Sequence, residues 1–274
     1  MAEANEYVLG QSRDAARRLA IQDAHFAVPS EALLDALALQ PGDRVVELGC
    51  GPGSFSRRIL GRLGAGGVLV GVDRSQGLLD QARAALENSG AATFEPVSAD
   101  VSALGPWLQG ANVVVGRAVL HHLPMAEFVI GRLRAAIPSG TRVGFIEPDF
   151  RSPLARLAYL QATGRSELAP LAKWAEALNR LYLARQISPD VGATLAASFQ
   201  AAGFRNVRST WVEFPSDGIV IQNMVLVYDE IREVLDSLGI LSTAEVQEQQ
   251  RLLEALPKEP LPAVWGVFSV TGEA

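Results

Sequence analysis

The sequence predicts an α/β fold, a mostly parallel sheet with helices on both faces, and three observations carry that prediction. Short apolar runs suited to strands buried on both sides alternate with helical segments from about residue 43 to residue 148. Such βα repetition implies parallel strands, because right-handed crossovers lay each helix on a face of the sheet. A glycine-rich turn, GCGPGS, joins the first such strand to the first such helix. Internal repeats, low-complexity segments and long Pro/Gly-rich linkers are absent from the sequence.

Taken in order, SRDAARRLAIQDAHFAVP predicts a first helix, started by a possible Ser12 cap and ended by Pro29. A second helix is expected over Ser30 to Leu39, stopped by Gln40-Pro41-Gly42. DRVVELG is the first strand, Ser54 to Leu63 a helix, and VLVGVD the second strand. Ser75 caps a helix to about Leu86, and ATFEPVSAD and ANVVVGRAV hold the third and fourth strands. Glu127 to Ala136 reads as a helix and TRVGFIEP as a fifth strand. The alternation then breaks, because residues 151–186 read as helical throughout and carry Tyr159, Trp174 and Tyr182. A helix near Asp190 to Ala202 precedes FRNVRSTWVEF and AVWGVFSVTG, two late strands separated by helical sequence over about 217–256.

Composition narrows the partner. The chain has 274 residues, 49% hydrophobic and 20% charged, with a net charge of −6 and no basic cluster. A small molecule is the expected partner rather than nucleic acid. The single cysteine, Cys50, excludes a disulfide framework and a zinc–cysteine cluster, and its turn position suits a small packing residue better than a nucleophile. No run approaches the roughly 18 apolar residues of a membrane span, and the N-terminus lacks the apolar core of a secretory signal. The expectation is a cytoplasmic monomer or homodimer with no metal and no membrane partner.

The glycine turn is the most informative stretch. Gly49, Gly51 and Gly53 let backbone N–H groups approach a ligand without side-chain obstruction, and Pro52 stiffens the loop. The spacing is G-x-G-x-G; in the dinucleotide fingerprint the third glycine would replace Ser54, and no Gly-Lys-Ser/Thr follows as a P-loop requires. Asp73 ends the second strand, where a carboxylate can accept from ribose hydroxyls. Asp100 closes the third, where one can accept from an adenine amine. Either acid can instead cap the turn that follows it, since Ser75 and Ser102 lie two residues on.

Four segments, VVELGCGPGSFS, GVDRSQGLLDQAR, VSADVSAL and NVVVGRAVLHHLP, stand in an order and spacing that resemble the class I S-adenosylmethionine-dependent methyltransferases. The likeness is greatest to small-molecule enzymes of the ubiquinone and menaquinone type. It implies a Rossmann-like, seven-stranded sheet with an antiparallel final strand. It also implies a helical N-terminal lid over residues 1–40, a cofactor-binding core over 41–150, a helical insertion over 151–189, and a return to the core with a further cap segment over 190–274. By this resemblance Glu47 and Gly49, Cys50, Gly51, Pro52 and Gly53 would surround the methionine part of S-adenosylmethionine. Asp73 would take the ribose, Arg74 would also contact the cofactor, Asp100 and Val101 would frame the adenine, and Arg117 would lie near the amino-acid portion. Tyr7, Arg18 and Gln22 would close the lid over the cofactor.

Methyl transfer from a sulfonium needs alignment and exclusion of water more than it needs a catalytic group. A base is required only where the nucleophile holds a proton. His121 and His122, following the fourth strand, are the candidate bases, and adjacent histidines without an acidic cluster do not suit a metal. His25 reads as a partly buried helix histidine. Glu147 and Asp149 bracket Pro148 at the rim, where they can orient a substrate or an imidazole but read more simply as solvated loop acids. The insertion, with Trp211, Phe214 and Tyr228 beyond it, suits an aromatic, polyketide-like or quinone-like acceptor from secondary metabolism. Two readings compete: an NAD-dependent oxidoreductase, and an S-adenosylmethionine-binding protein that transfers no methyl group.

Overall fold

The computed structural model describes residues 13–274, apart from residues 88, 258 and 264. The described residues fold as two compact units. Residues 27–148, 191–212 and 267–274 form a sheet unit, and residues 13–26, 149–190 and 213–266 form a helical unit.

Seven strands make one sheet in the order β3-β2-β1-β4-β5-β7-β6. They are β1 (Arg44–Leu48), β2 (Val68–Asp73), β3 (Thr93–Ser98), β4 (Val113–Arg117), β5 (Arg142–Asp149), β6 (Arg205–Glu213) and β7 (Gly266–Glu273). Parallel ladders join β3, β2, β1, β4 and β5. The last strand runs the other way: the backbone of Ala274 exchanges hydrogen bonds with Thr141 and Gly140, so β7 ends where β5 begins. The chain builds outward from β1 to β3, then crosses back to place β4 on the other side of β1. That reversal opens a crevice at the carboxyl ends of β1 and β4, where open α/β sheets bind ligands.

Alternation along the strands sorts the core into two layers. Val46, Leu48, Val70, Val72, Val114 and Phe145 share one cluster with Val129, Ile130 and Leu133 of α4 (Ala126–Ala136) and with Leu195 and Phe199 of α7 (Val191–Ala201). The opposite face carries Val45, Leu69, Val113 and Val115, all fully buried. There Gly144 lies so close beneath Leu33 of α1 (Arg13–Ala36) and Leu37 just beyond it that a Cβ would stand 2.8 Å from a leucine methyl. α2 (Ser54–Leu63) buries Phe55, Ile59 and Leu63, and Ser75 caps α3 (Gln76–Leu86) by accepting from the Leu78 N–H.

Two expectations need correction. The helix expected to stop at Pro29 runs on to Ala36 as one 24-residue α1, with Pro29 inside it. Proline removes one N–H and crowds the carbonyl four residues back. The deep burial of Phe26, Leu33 and Leu34 on either side outweighs that local cost. β5 also extends to Asp149, through Pro148. Its pairing to β4 ends at Ile146, so the proline sits past the last residue that must donate to that ladder.

The helical unit holds α5 (Ser152–Ala162), α6 (Ala169–Ala184), α8 (Gly218–Ser237) and α9 (Thr243–Glu254). Ser242 and Glu245 form a reciprocal capping box at the start of α9. Arg156 fastens the unit by donating to the Glu213 carboxylate and the Ala263 carbonyl. No helix among the described residues is long and apolar enough to cross a membrane.

Two glycines test the packing in opposite directions. A Cβ on Gly192 would lie 2.5 Å from the Glu147 carbonyl oxygen and 2.8 Å from that of Pro148. Gly192→Ala is therefore expected to destabilise the protein by about 1–3 kcal/mol, seen as a lower midpoint in urea or heat. Gly131, inside α4, has open space around it. Gly131→Ala should stabilise by up to about 1 kcal/mol in the same assay.

Candidate active site at the carboxyl edge of the sheet

The glycine turn is held from both sides. Gly49 and Cys50 both donate backbone N–H groups to the Val72 carbonyl, at 2.8 and 3.1 Å. Gly49 has φ of +69°, and a Cβ there would stand 2.5 Å from a methyl of Val119, so this glycine is fixed by conformation and by packing. Gly51, at φ +52°, has open space beside it and donates its N–H to Asp73 Oδ2 at 3.0 Å. Asp73 Oδ1 accepts from the Ser75 N–H. Asp73 thus ties the glycine turn to the end of β2, and a carboxylate that accepts two N–H bonds keeps lone pairs for a ligand.

Glu47 is the buried acid beneath the turn. Its side chain is wholly enclosed and accepts from Ser56 Oγ at 2.6 Å. Burial pushes the carboxyl up from 4.5 to about 7, against the Ser56 hydrogen bond and the Arg117 charge, which pull it down. Arg117, at the end of β4, donates to Ser30 Oγ at 3.2 Å and Ser54 Oγ at 3.5 Å, with its guanidinium 5.0 Å from the Phe55 ring centre. The crevice therefore presents a buried acid, a cation and free-standing glycine backbone within one edge of the sheet.

A second buried acid organises the turn after β4. Glu147 Oε1 accepts from the Val119 and Leu120 N–H groups at 3.0 and 2.9 Å. Oε2 accepts from the His121 N–H at 3.2 Å and, when the carboxyl is ionised, from His121 Nδ1–H at 2.9 Å. Burial raises this carboxyl to about 7, opposed by those backbone donors and by the charge of His122. With the carboxyl ionised, the bond holds the His121 ring with Nε2 as its lone-pair nitrogen. The His122 ring lies against it, with centroids 3.8 Å apart. His121 is buried and His122 half-buried.

Other expected site residues also make structural contacts. Glu147 and Asp149 are not solvated loop acids; both are 0% exposed. Asp149 belongs to the helical unit, where Oδ1 caps α5 through the Arg151 and Ser152 N–H groups. Asp100 is exposed, and its Oδ1 accepts from the Ser102 N–H and hydroxyl, the capping arrangement. Val101 packs in the core of the sheet unit. The Cys50 thiol is buried against Gly71, and burial and nearby carboxylates push its pKa up, so it offers no thiolate. Pro52 and Gly53 lead into α2, with Gly53 as its left-handed N-cap, and Arg74 is exposed. Arg18 lies in the helical unit, 2% exposed, donating to Glu230 at 2.9 Å and to Gln22 at 3.0 Å. Tyr7 lies outside the described residues.

Sequence reasoning missed Ser30, Ser54 and Ser56, which position Arg117 and Glu47. The two serines at the start of α2 are the one local signal of this role, since they face an acid and a base supplied by separate strands.

Residues 45–140 match the family model described as a methyltransferase domain. That stretch includes the glycine turn. Within the sheet unit, those residues are similar to a methyltransferase domain, and the strand order is that of a Rossmann-like fold. The chain is 34% identical over 149 residues to trans-aconitate 2-methyltransferase of Variovorax paradoxus, covering 54% of this chain and 52% of that protein. It is 25% identical to aklanonic acid methyltransferase DauC of a Streptomyces species, covering 52% of this chain and 64% of that one. The chain thus spans about half the length of the first curated relatives it matches. A phosphoethanolamine N-methyltransferase of Haemonchus contortus, solved with S-adenosylhomocysteine, has the same fold at a TM-score of 0.54 and 14% identity, over 89% of this chain and 52% of that one. Among the described residues there is no group of three or more His, Cys, Asp or Glu side chains arranged to hold a metal.

The Glu47 carboxyl sets a pH test. Between about pH 4.5 and 7 the folded protein keeps a proton that the unfolded chain has lost, so stability falls as pH rises through that window. The slope from one such group approaches about 1.4 kcal/mol per pH unit. Glu47→Gln has no proton to lose, so its urea midpoint should fall less with pH than the wild-type midpoint. Parallel curves would show that Glu47 is ionised throughout.

Proposed function

We propose that this chain binds S-adenosylmethionine at the carboxyl edge of its sheet and transfers the methyl group to a small molecule. The carrying observation is the convergence of Glu47, Gly51, Asp73 and Arg117 on one crevice of a methyltransferase domain. The chemistry of these groups fits the donor. Arg117 suits its carboxylate and Glu47 its ammonium, while the open Gly51 backbone admits the methionine chain and Asp73 accepts from the ribose hydroxyls. Asp100 and Val101 would border the adenine.

S-adenosylmethionine, when bound, supplies a methyl carbon on a sulfonium, whose carbon–sulfur bond breaks, leaving the electron pair on sulfur, as the acceptor's lone pair bonds to carbon. The protein's own task is alignment, exclusion of water and handling of the acceptor's proton. We assign the proton to His122, the more accessible ring of the pair. Glu147 and His121 are positioning residues that hold the turn bearing it. The acceptor is assigned an aromatic or polyketide-like character, supported by the aklanonic acid relative.

Two measurements test this reading. S-adenosylhomocysteine should raise the melting temperature by several degrees, since a ligand at a hundredfold excess over Kd stabilises by about 2.7 kcal/mol. NAD should give no shift, and Asp73→Ala should weaken S-adenosylhomocysteine at least tenfold. Stabilisation by NAD alone overturns the assignment. For the proton, His122→Ala should lower kcat by about 10²–10⁴-fold with the donor KM little changed. A variant with near-wild-type kcat removes His122 from the mechanism.

A further inference from the structure

Asp100 sits on a turn of the sheet unit that is held from several sides. Ala99 donates its N–H to the Asp73 carbonyl at 3.1 Å, so Asp73 and the start of this turn stand on adjoining strand ends. Asp100 Oδ1 then accepts from the Ser102 N–H at 2.8 Å and the Ser102 hydroxyl at 2.7 Å, capping a single 3-10 turn, Val101–Ala103. Val101 anchors that turn in the core of the unit. With Oδ1 committed to the cap, a donor on a ligand falls to Oδ2.

The far end of the turn is gripped from α4. Arg132 donates from Nη1 to the Ser102 carbonyl at 2.9 Å and from Nη2 to the Ala103 carbonyl at 3.2 Å. Ser102 is thereby held through its N–H by Asp100 and through its carbonyl by Arg132. The guanidinium also lies 5.9 Å from the ring centre of Phe128, one helical turn back, which gives a partner to an aromatic that is 57% exposed. Leu104, the next residue of the turn, takes a φ of +46° with ψ of +115°. A residue with a side chain keeps such a conformation only where its surroundings impose it. A 3-10 turn this short has little backbone bonding of its own, so the Arg132 fork supplies the constraint at its far end.

We infer that Arg132 is a positioning residue for the donor's base: it fixes the Ser102 and Ala103 carbonyls, and through them the Asp100 carboxylate that accepts from the adenine amine. The inference rests on the proposed binding of S-adenosylmethionine, and it adds a residue that acts through Asp100 rather than on the donor itself. Its physical content is a restriction of motion. Asp100 is exposed, and an exposed carboxylate that must be ordered on binding loses part of its hydrogen bond to that cost. A turn clamped before the ligand arrives has already met it. Arginine suits the task because its planar fork serves both carbonyls at once, whereas a lysine ammonium is a single point donor. The same α4 follows directly on the turn that carries His121 and His122, so one helix braces the base-reading acid and the candidate proton acceptor.

The test uses the whole chain and two ligands that differ in one group: S-adenosylhomocysteine and its 6-deamino analogue, in which hydrogen replaces the adenine amine. Calorimetric titration gives both dissociation constants. The wild-type protein should bind S-adenosylhomocysteine about tenfold more tightly, the worth of one hydrogen bond to a carboxylate. Arg132→Met keeps an apolar stem beside Phe128 and, at an exposed position, leaves the core intact. It should shrink the preference to about twofold, as should Asp100→Ala, with binding of the deamino analogue little changed in either. Arg132→Lys should fall between Arg132→Met and wild type. Joining Arg132→Met with Asp100→Ala should narrow the preference no further, because both act on one contact. A brace with no part in reading the base would weaken both ligands equally in Arg132→Met, and that result overturns the inference. A preference kept intact in Arg132→Met, or absent from wild type, overturns it as well. Failure of the wild type to bind either ligand overturns the donor reading itself, and this inference with it.

Discussion

The carboxyl edge of the sheet depends on one buried carboxylate. Glu147 gathers the N–H groups of Val119, Leu120 and His121, and so bends the chain sharply as it leaves β4. Ala118, immediately before, takes a left-handed φ of +53° and is held there by its N–H bond to the Ile146 carbonyl. That bend sets Val119 against Gly49, with no room for a side chain on the glycine. The glycine turn is placed by that contact, and Asp73 then fixes its far side through Gly51. A carboxylate on β5 thus determines where the turn after β1 can stand, through contiguous contacts across the switch point of the sheet.

The same edge explains why two glutamates are tolerated in a hydrophobic core. An isolated buried carboxylate is strongly disfavoured, and the protein answers each one differently. Glu147 is surrounded by backbone donors and a ring N–H, so its role is architectural. Glu47 has a single hydroxyl donor and a guanidinium nearby, and it retains the capacity to meet a cationic group. The contrast separates an acid that shapes the site from one that can serve a ligand.

Much of the fold was legible along the chain because its signals are local. α2 and β2 fall where glycine punctuation and apolar runs placed them, and the Ser75 cap forms as its spacing implied. Pro29 misled because a local rule was overridden by burial on both sides of it. Glu147 and Asp149 misled for a related reason. Loop-like sequence around a proline gives no sign that both acids are enclosed and satisfied by backbone from distant segments.

The sequence by itself determined the order of strands and helices, the place of the ligand-facing turn, and the acids at strand ends. Those features follow from periodicity, glycine conformation and strand-end position, which are properties of contiguous residues. Tertiary structure alone decided which polar groups meet. The Glu47–Ser56, Arg117–Ser30 and Glu147–His121 contacts depend on packing between segments 9 to 87 residues apart. Burial and the direction of a hydrogen bond arise only when those segments are brought together, because an isolated residue carries no record of what will surround it.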